Sequence, residues 1–194
     1  MSVPDLEKNG TYTYADYKTW PDNERWELIN GVAYGMSPAP KRAHQKVSMA
    51  LSTQIFISLE GKSCEVYSAP MDVKLSAVPG EDKNDIDIVV QPDILVVCDP
   101  HKLDDDGCNG APDWVIEILS PSTAYKDGNE KLLLYEKYGV KEYWIIQPGA
   151  KMVYIYILDK DGTYKKPEVA RKDEVIFSSA VPGVPVDLKK VFSI

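Results

Sequence analysis

The sequence has no apolar run near the ~20 residues that span a bilayer. It also lacks a GxxxxGKS/T loop, a GxGxxG turn and a GxSxG elbow. The first absence argues against a membrane span. The others argue against P-loop, Rossmann-nucleotide and serine-hydrolase chemistry. Cysteine is scarce: Cys64, Cys98 and Cys108 are an odd number without a CxxC pair. They read as reduced thiols of a cytoplasmic protein, not as a disulfide framework or a zinc site. Positive charge is in deficit, with 22 Lys and Arg against 30 Asp and Glu and a net charge of −8. That balance argues against a protein that coats nucleic acid. The opening Met1-Ser2-Val3-Pro4-Asp5 has neither the basic region nor the apolar stretch of a signal peptide.

What is present is a globular composition, 44% hydrophobic and 27% charged over 194 residues. No repeat or low-complexity tract divides it, so residues 1–194 are expected to form a single domain, with an N-terminal helix and hairpin and a C-terminal β extension. Residues 81–106 hold nine acids and two lysines, a local net charge of −7 that reads as a solvated loop. Thr13-Tyr14-Ala15-Asp16 has capping-box spacing, and Asn30-Gly31 is a strong hairpin signal. Val47, Leu51 and Ile55 recur at helical spacing over 41–60, with Gly61 as terminator. Strand-like runs occupy 64–75, 86–98 (interrupted by Pro92), 114–119, 142–147, 152–158 and 164–169. Asp127 to Glu130 predicts a capped helix closed by Gly139. Two longer helices within a mostly β chain predict an α/β fold, a mixed sheet flanked by helices.

Two acids stand out. Asp93 sits at the mouth of the apolar run Ile94-Leu95-Val96-Val97, which suits an interior strand. Glu117 lies in the middle of Trp114-Val115-Ile116-Glu117-Ile118-Leu119, where an uncompensated carboxylate costs several kcal/mol. It must be paired, protonated or metal-bound. A salt bridge to Lys or Arg is the plain alternative, but two such acids close together favour a divalent cation between them. Lys131, four positions past an Asp127 cap, reads from spacing as a solvent-facing lysine. It could otherwise orient a water or stabilise a transferring phosphoryl group. His44 begins the inward stripe of its helix and reads as a core or capping histidine. Glu27 alternates with Trp26 and Leu28 and reads as an exposed hairpin acid. His101 carries no signal.

Taken in order, Trp26-Glu27-Leu28-Ile29-Asn30-Gly31, His44, Gln91-Pro92-Asp93-Ile94, Glu117-Ile118-Leu119-Ser120-Pro121-Ser122 and Lys131…Tyr135…Gly139-Val140-Lys141-Glu142-Tyr143-Trp144 resemble the Uma-type restriction endonuclease family of the PD-(D/E)XK superfamily. The resemblance runs from about residue 11 to 158, and the Val181-Pro182-Gly183-Val184 turn fits it as well. It implies a restriction-endonuclease-like fold and metal-dependent hydrolysis of DNA, with double-stranded DNA as partner and a homodimer as assembly. Asp93 would be the Asp of "PD" and Glu117 the acid of "(D/E)XK". Both would bind Mg²⁺ or Mn²⁺, with the Ile118 carbonyl as third ligand. Glu27 and His44 match further polar positions and would assist proton transfer. Leu119 stands where the pattern has lysine, and Lys131 is the position that could take over. Leu119 and the net charge also support an inactive binding or oligomerisation module. A nuclease acting on RNA or structured DNA is the third alternative.

Overall fold

Asn30 and Gly31 adopt left-handed backbone, with φ of 50° and 73°, a region asparagine and glycine enter at low cost. They turn strand β1 (Trp26–Ile29) into β2 (Val32–Gly35), pairing Ile29 with Val32. The coordinates are a computed structural model that describes residues 12–21, 24–36, 40–76, 78, 80–120 and 126–193. The sequence Ser37-Pro38-Ala39-Pro40 is expected to break the strand after β2; its residues 37–39, and the Pro121-Ser122 motif residues, lie outside the described residues.

Helix α1 (Tyr14–Tyr17) starts as its capping box predicts, with the Thr13 amide donating to Asp16 Oδ2 at 2.9 Å. Helix α2 (Arg42–Leu59) buries Val47, Leu51, Ile55 and Leu59, one residue per turn. Strands β3 (Glu65–Ser68), β4 (Val73–Lys74), β5 (Val89–Val90) and β6 (Ile94–Val97) follow. After these come β7 (Leu103–Asp104), β8 (Gly107–Asn109) and β9 (Trp114–Ile118). The chain continues through helix α3 (Lys131–Tyr138), β10 (Glu142–Gln147), β11 (Met152–Ile157) and β12 (Glu168–Arg171). It closes with a β13 (Val175–Phe177) and β14 (Pro185–Asp187) ribbon and helix α4 (Leu188–Val191).

One six-stranded sheet runs β2-β1-β5-β4-β8-β7 and another β12-β11-β10-β9-β6-β3. The second sheet is mixed, because β9 and β10 are parallel while its other neighbours are antiparallel. Its side chains alternate between two apolar clusters. Ile94, Val96, Trp114, Ile116, Ile118, Trp144 and Ile146 pack towards α2, α4 and the closing ribbon. Leu95, Val97, Val115, Tyr143 and Ile145 pack on the other face with Leu134 and Tyr135 of α3 and residues of the first sheet. Cover on both faces is why β6 and β9 read as continuous apolar runs. The expected mixed sheet flanked by helices is therefore present. Among the described residues no helix is long and apolar enough to cross a membrane.

Several local expectations need correction. The expected strand at 64–75 is two strands separated by a cis Ala69-Pro70 peptide. The last expected strand, at 164–169, is a single bridge from Tyr164 to Leu158 followed by β12. The helix does not start directly after Asp127 as an α-helix: residues Lys126–Glu130 form a π-helical turn that runs into α3, which Gly139 closes at φ 82°. Cys64 and Cys98 are not free thiols but a disulfide. The β3–β6 register pairs Glu65 with Val97, which sets the two cysteines opposite each other one step beyond. Only Cys108 is a free thiol among the described residues, so the cysteines no longer point to a reducing compartment. Within 81–106, all the acids except Asp93 are exposed, as a solvated loop requires.

Candidate active site

Strands β6 and β9 are antiparallel with Ile94 opposite Ile116. One step further, Asp93 therefore stands opposite Glu117. The Asp93 amide donates to Glu117 Oε2 at 3.3 Å, and Asp93 Oδ2 accepts from the Ile118 amide at 2.8 Å. His44, in the first turn of α2, brings Nε2 to 3.1 Å from the same oxygen. A carboxylate only accepts, so Nε2 carries the proton of this contact. Asp93 Oδ1 takes no hydrogen bond from the described residues, and the side chain is 22% exposed.

Glu117 projects to the α3 side of the sheet, in the same layer as Val115. Lys131 and Tyr135, one turn apart on α3 and so on one face, both reach it. Lys131 Nζ lies 2.8 Å from Glu117 Oε1, and Tyr135 Oη donates to the same oxygen at 3.0 Å. Lys131 Nζ is also 2.8 Å from Glu27 Oε1. Glu27 Oε1 further accepts the Gln91 amide at 3.1 Å. Lys131 is thus a 3%-exposed ammonium between two carboxylates that are 2% and 3% exposed.

Two expectations about single residues fail here. Lys131 is not a surface lysine, and Glu27 is not an exposed hairpin acid. Both faces of β1 are covered: Trp26 and Leu28 enter an N-terminal cluster with Tyr14 and Trp20, while Glu27 points to Lys131. The salt-bridge alternative for Glu117 and the Lys131 assignment turn out to be one contact. Leu119 lies two residues past Glu117 on the same face, packed in the apolar cluster there. Lys131 approaches from the side to which a lysine at 119 would have pointed.

The sequence reading missed Tyr135 as a site residue, although its spacing four after Lys131 was a usable signal. It also missed the support behind Gln91. The Gln91 side chain accepts from Arg25 Nη2 at 2.8 Å, and its amide donates to Asp72 Oδ1 at 2.8 Å and Tyr17 Oη at 3.1 Å. No sequence pattern marks that network, whose members are up to 74 residues apart. His101 is exposed and plays no part.

Among the described side chains, Glu27, Asp93 and Glu117 bring three carboxylates against the Lys131 ammonium and the His44 imidazole. The carboxylate donors are hard oxygens, which suit Mg²⁺ or Mn²⁺ over softer ions. Among the described residues no three His, Cys, Asp or Glu side chains converge to cage a metal. Mg²⁺ usually takes one or two carboxylates and shares its remaining positions with waters and substrate phosphates, and Asp93 and Glu117 stand opposite each other as two such carboxylates.

Residues 14–189 match the family described as "Putative restriction endonuclease", Uma2. An uncharacterized protein of Synechocystis sp., slr1290, is 28% identical over 152 residues, which are 77% of this chain and 75% of that protein. A crystal structure from Anabaena variabilis, described as a putative nuclease belonging to DUF820, superposes with a TM-score of 0.72. It covers 93% of this chain and 97% of that one at 21% identity, which establishes a shared, restriction-endonuclease-like fold. The family match spans nearly the whole chain: this protein belongs to the Uma2 family.

Proposed function

We propose that the chain, folded as a single domain, is a nuclease that hydrolyses phosphodiester bonds of double-stranded DNA with Mg²⁺ or Mn²⁺. The observation that carries this reading is the opposed pair Asp93 and Glu117, with Lys131 and Tyr135 gripping the buried acid. A divalent cation held by Asp93, Glu117 and the Ile118 carbonyl would polarise the scissile phosphate and acidify a bound water.

The chain's own residues divide the remaining work. Lys131 keeps a fixed positive charge in a dry site, where it counts for more than in water. Glu27 and the Gln91 network set the position of that ammonium. Glu27 is a positioning residue, being held away from solvent by Lys131 and the Gln91 amide. His44 holds a proton on Nε2 at the open edge of Asp93, where it can be passed on. Arg42 and Lys46 each lie two residues from His44, hence on the opposite side of α2. They do not converge with Asp93, and the acidic background leaves DNA binding weak and salt-sensitive.

Supercoiled plasmid incubated with Mg²⁺ or Mn²⁺ tests the proposal. Nicking is expected in the native protein and absent in Asp93→Ala and Glu117→Ala. Full cleavage by both variants would end the proposal. A Mn²⁺-dependent rise in melting temperature, lost in Asp93→Asn, is the matching binding readout.

A further inference from the structure

The outer face of α2 carries a second pattern that neither the fold nor the site uses. Lys46, Met49, Thr53, Phe56 and Glu60 recur at steps of three and four residues, the spacing of a coiled-coil seam. All five are exposed. Met49 is 67%, Phe56 62% and the flanking Ile57 59% exposed, an apolar stripe with no packing partner among the described residues. Helix α2 has 18 residues, about 27 Å of rod at 1.5 Å per residue. Its inner stripe, from Val47 to Leu59, already faces the sheet.

The charges select both the occupant and its direction. The seam has a cation at one end, an acid at the other, and apolar residues about the uncharged Thr53. A second copy laid antiparallel about a twofold axis at Thr53 sets Lys46 against Glu60 twice, and Met49 against Phe56 and Ile57 twice. A parallel copy would oppose Lys46 to Lys46 and Glu60 to Glu60, which is repulsive. The same patch complementing itself is what a twofold interface requires. We infer that α2 is a homodimer interface, with the two α2 helices antiparallel and Thr53 at the twofold axis. His44 projects from the other side of the helix, so this pairing leaves Asp93 and Glu117 uncovered. Association and cleavage are therefore separable.

Sedimentation of the full chain across a wide range of concentration tests the inference. The native protein should reach twice the protomer mass at the higher concentrations. Phe56→Glu should remain monomeric while keeping its circular dichroism and melting profile, since the side chain contributes little to the protomer core. Lys46→Glu should weaken association by about tenfold, because the axis doubles each lost ion pair. Lys46→Glu with Glu60→Lys should restore it. Thr53→Cys should form a covalent dimer under mild oxidation. A native protein that stays monomeric, a dimer that survives Phe56→Glu, or failure of the charge swap to rescue would each overturn the inference. Loss of nicking in Asp93→Ala bears on the catalytic proposal alone.

Discussion

Replacing Lys131 with methionine removes the ammonium that bridges Glu27 and Glu117 while keeping most of the side-chain volume. In the native protein that ammonium is 2.8 Å from an oxygen of each acid, and all three groups are nearly inaccessible to water. Breaking a buried pair by removing one partner costs about 3–5 kcal/mol, because an uncompensated charge remains in a low-dielectric site. Here two carboxylates would remain, so one of them takes up a proton in the folded variant. The sign of the pH dependence follows. Above the ordinary glutamate pKa of about 4.3, the unfolded chain releases a proton that the folded variant retains. The deficit relative to the native protein is therefore largest near neutrality and narrows as pH falls towards that value. Urea denaturation of both proteins at neutral and mildly acidic pH measures it. Adding Glu27→Gln to the variant should recover part of the loss, since it removes one of the stranded charges. A deficit below about 1 kcal/mol that does not change with pH, the range of an exposed pair, would refute the buried clamp.

Three further outcomes follow from other contacts. The Cys64–Cys98 disulfide closes a loop of sequence separation 34, so replacing both cysteines by serine should cost about 4 kcal/mol on the chain-entropy account; dithiothreitol should lower the midpoint of the native protein and leave that of the variant unmoved. Tyr135→Phe removes one hydrogen bond to the Glu117 carboxylate and should cost about 1.5–3 kcal/mol in chemical denaturation, with less loss when Glu117 is already glutamine. Burial raises the pKa of Glu142 above the usual 4.5, against the hydrogen bonds from Ala180, Ser178, Trp144 and Ser179 that hold the anion. A raised carboxylate favours the folded state at low pH and gives that advantage up as pH rises from 4.5 through the raised value. The stability–pH curve of Glu142→Gln should lack that downward component, and an unchanged curve would contradict the assignment.

The local elements were legible because their causes are local. The capping box before Tyr14, the left-handed Asn30-Gly31 turn and the stripe of Val47, Leu51 and Ile55 rest on neighbours within a turn or two. The strands β6 and β9 were legible from composition, since cover on both faces demands an unbroken apolar run. Asp93 and Glu117 drew attention for the same reason: a carboxylate in such a run is costly wherever the strand ends up. Contacts made across long sequence separations were not legible. Burial of Glu27 depends on Lys131 of α3 reaching β1, burial of Lys131 depends on the two acids it meets, and the pairing of Cys64 with Cys98 depends on the β3–β6 register. Helix spacing set Lys131 among surface residues because an amphipathic pattern reports how apolar a face is, not whether a charged face will find its counter-charges. The sequence by itself determined which carboxylates could not be left alone. Only the tertiary structure decided their partners, because β6, β9, β1 and α3 meet through packing of apolar faces that carry no record of which polar side chains they bring within hydrogen-bonding distance.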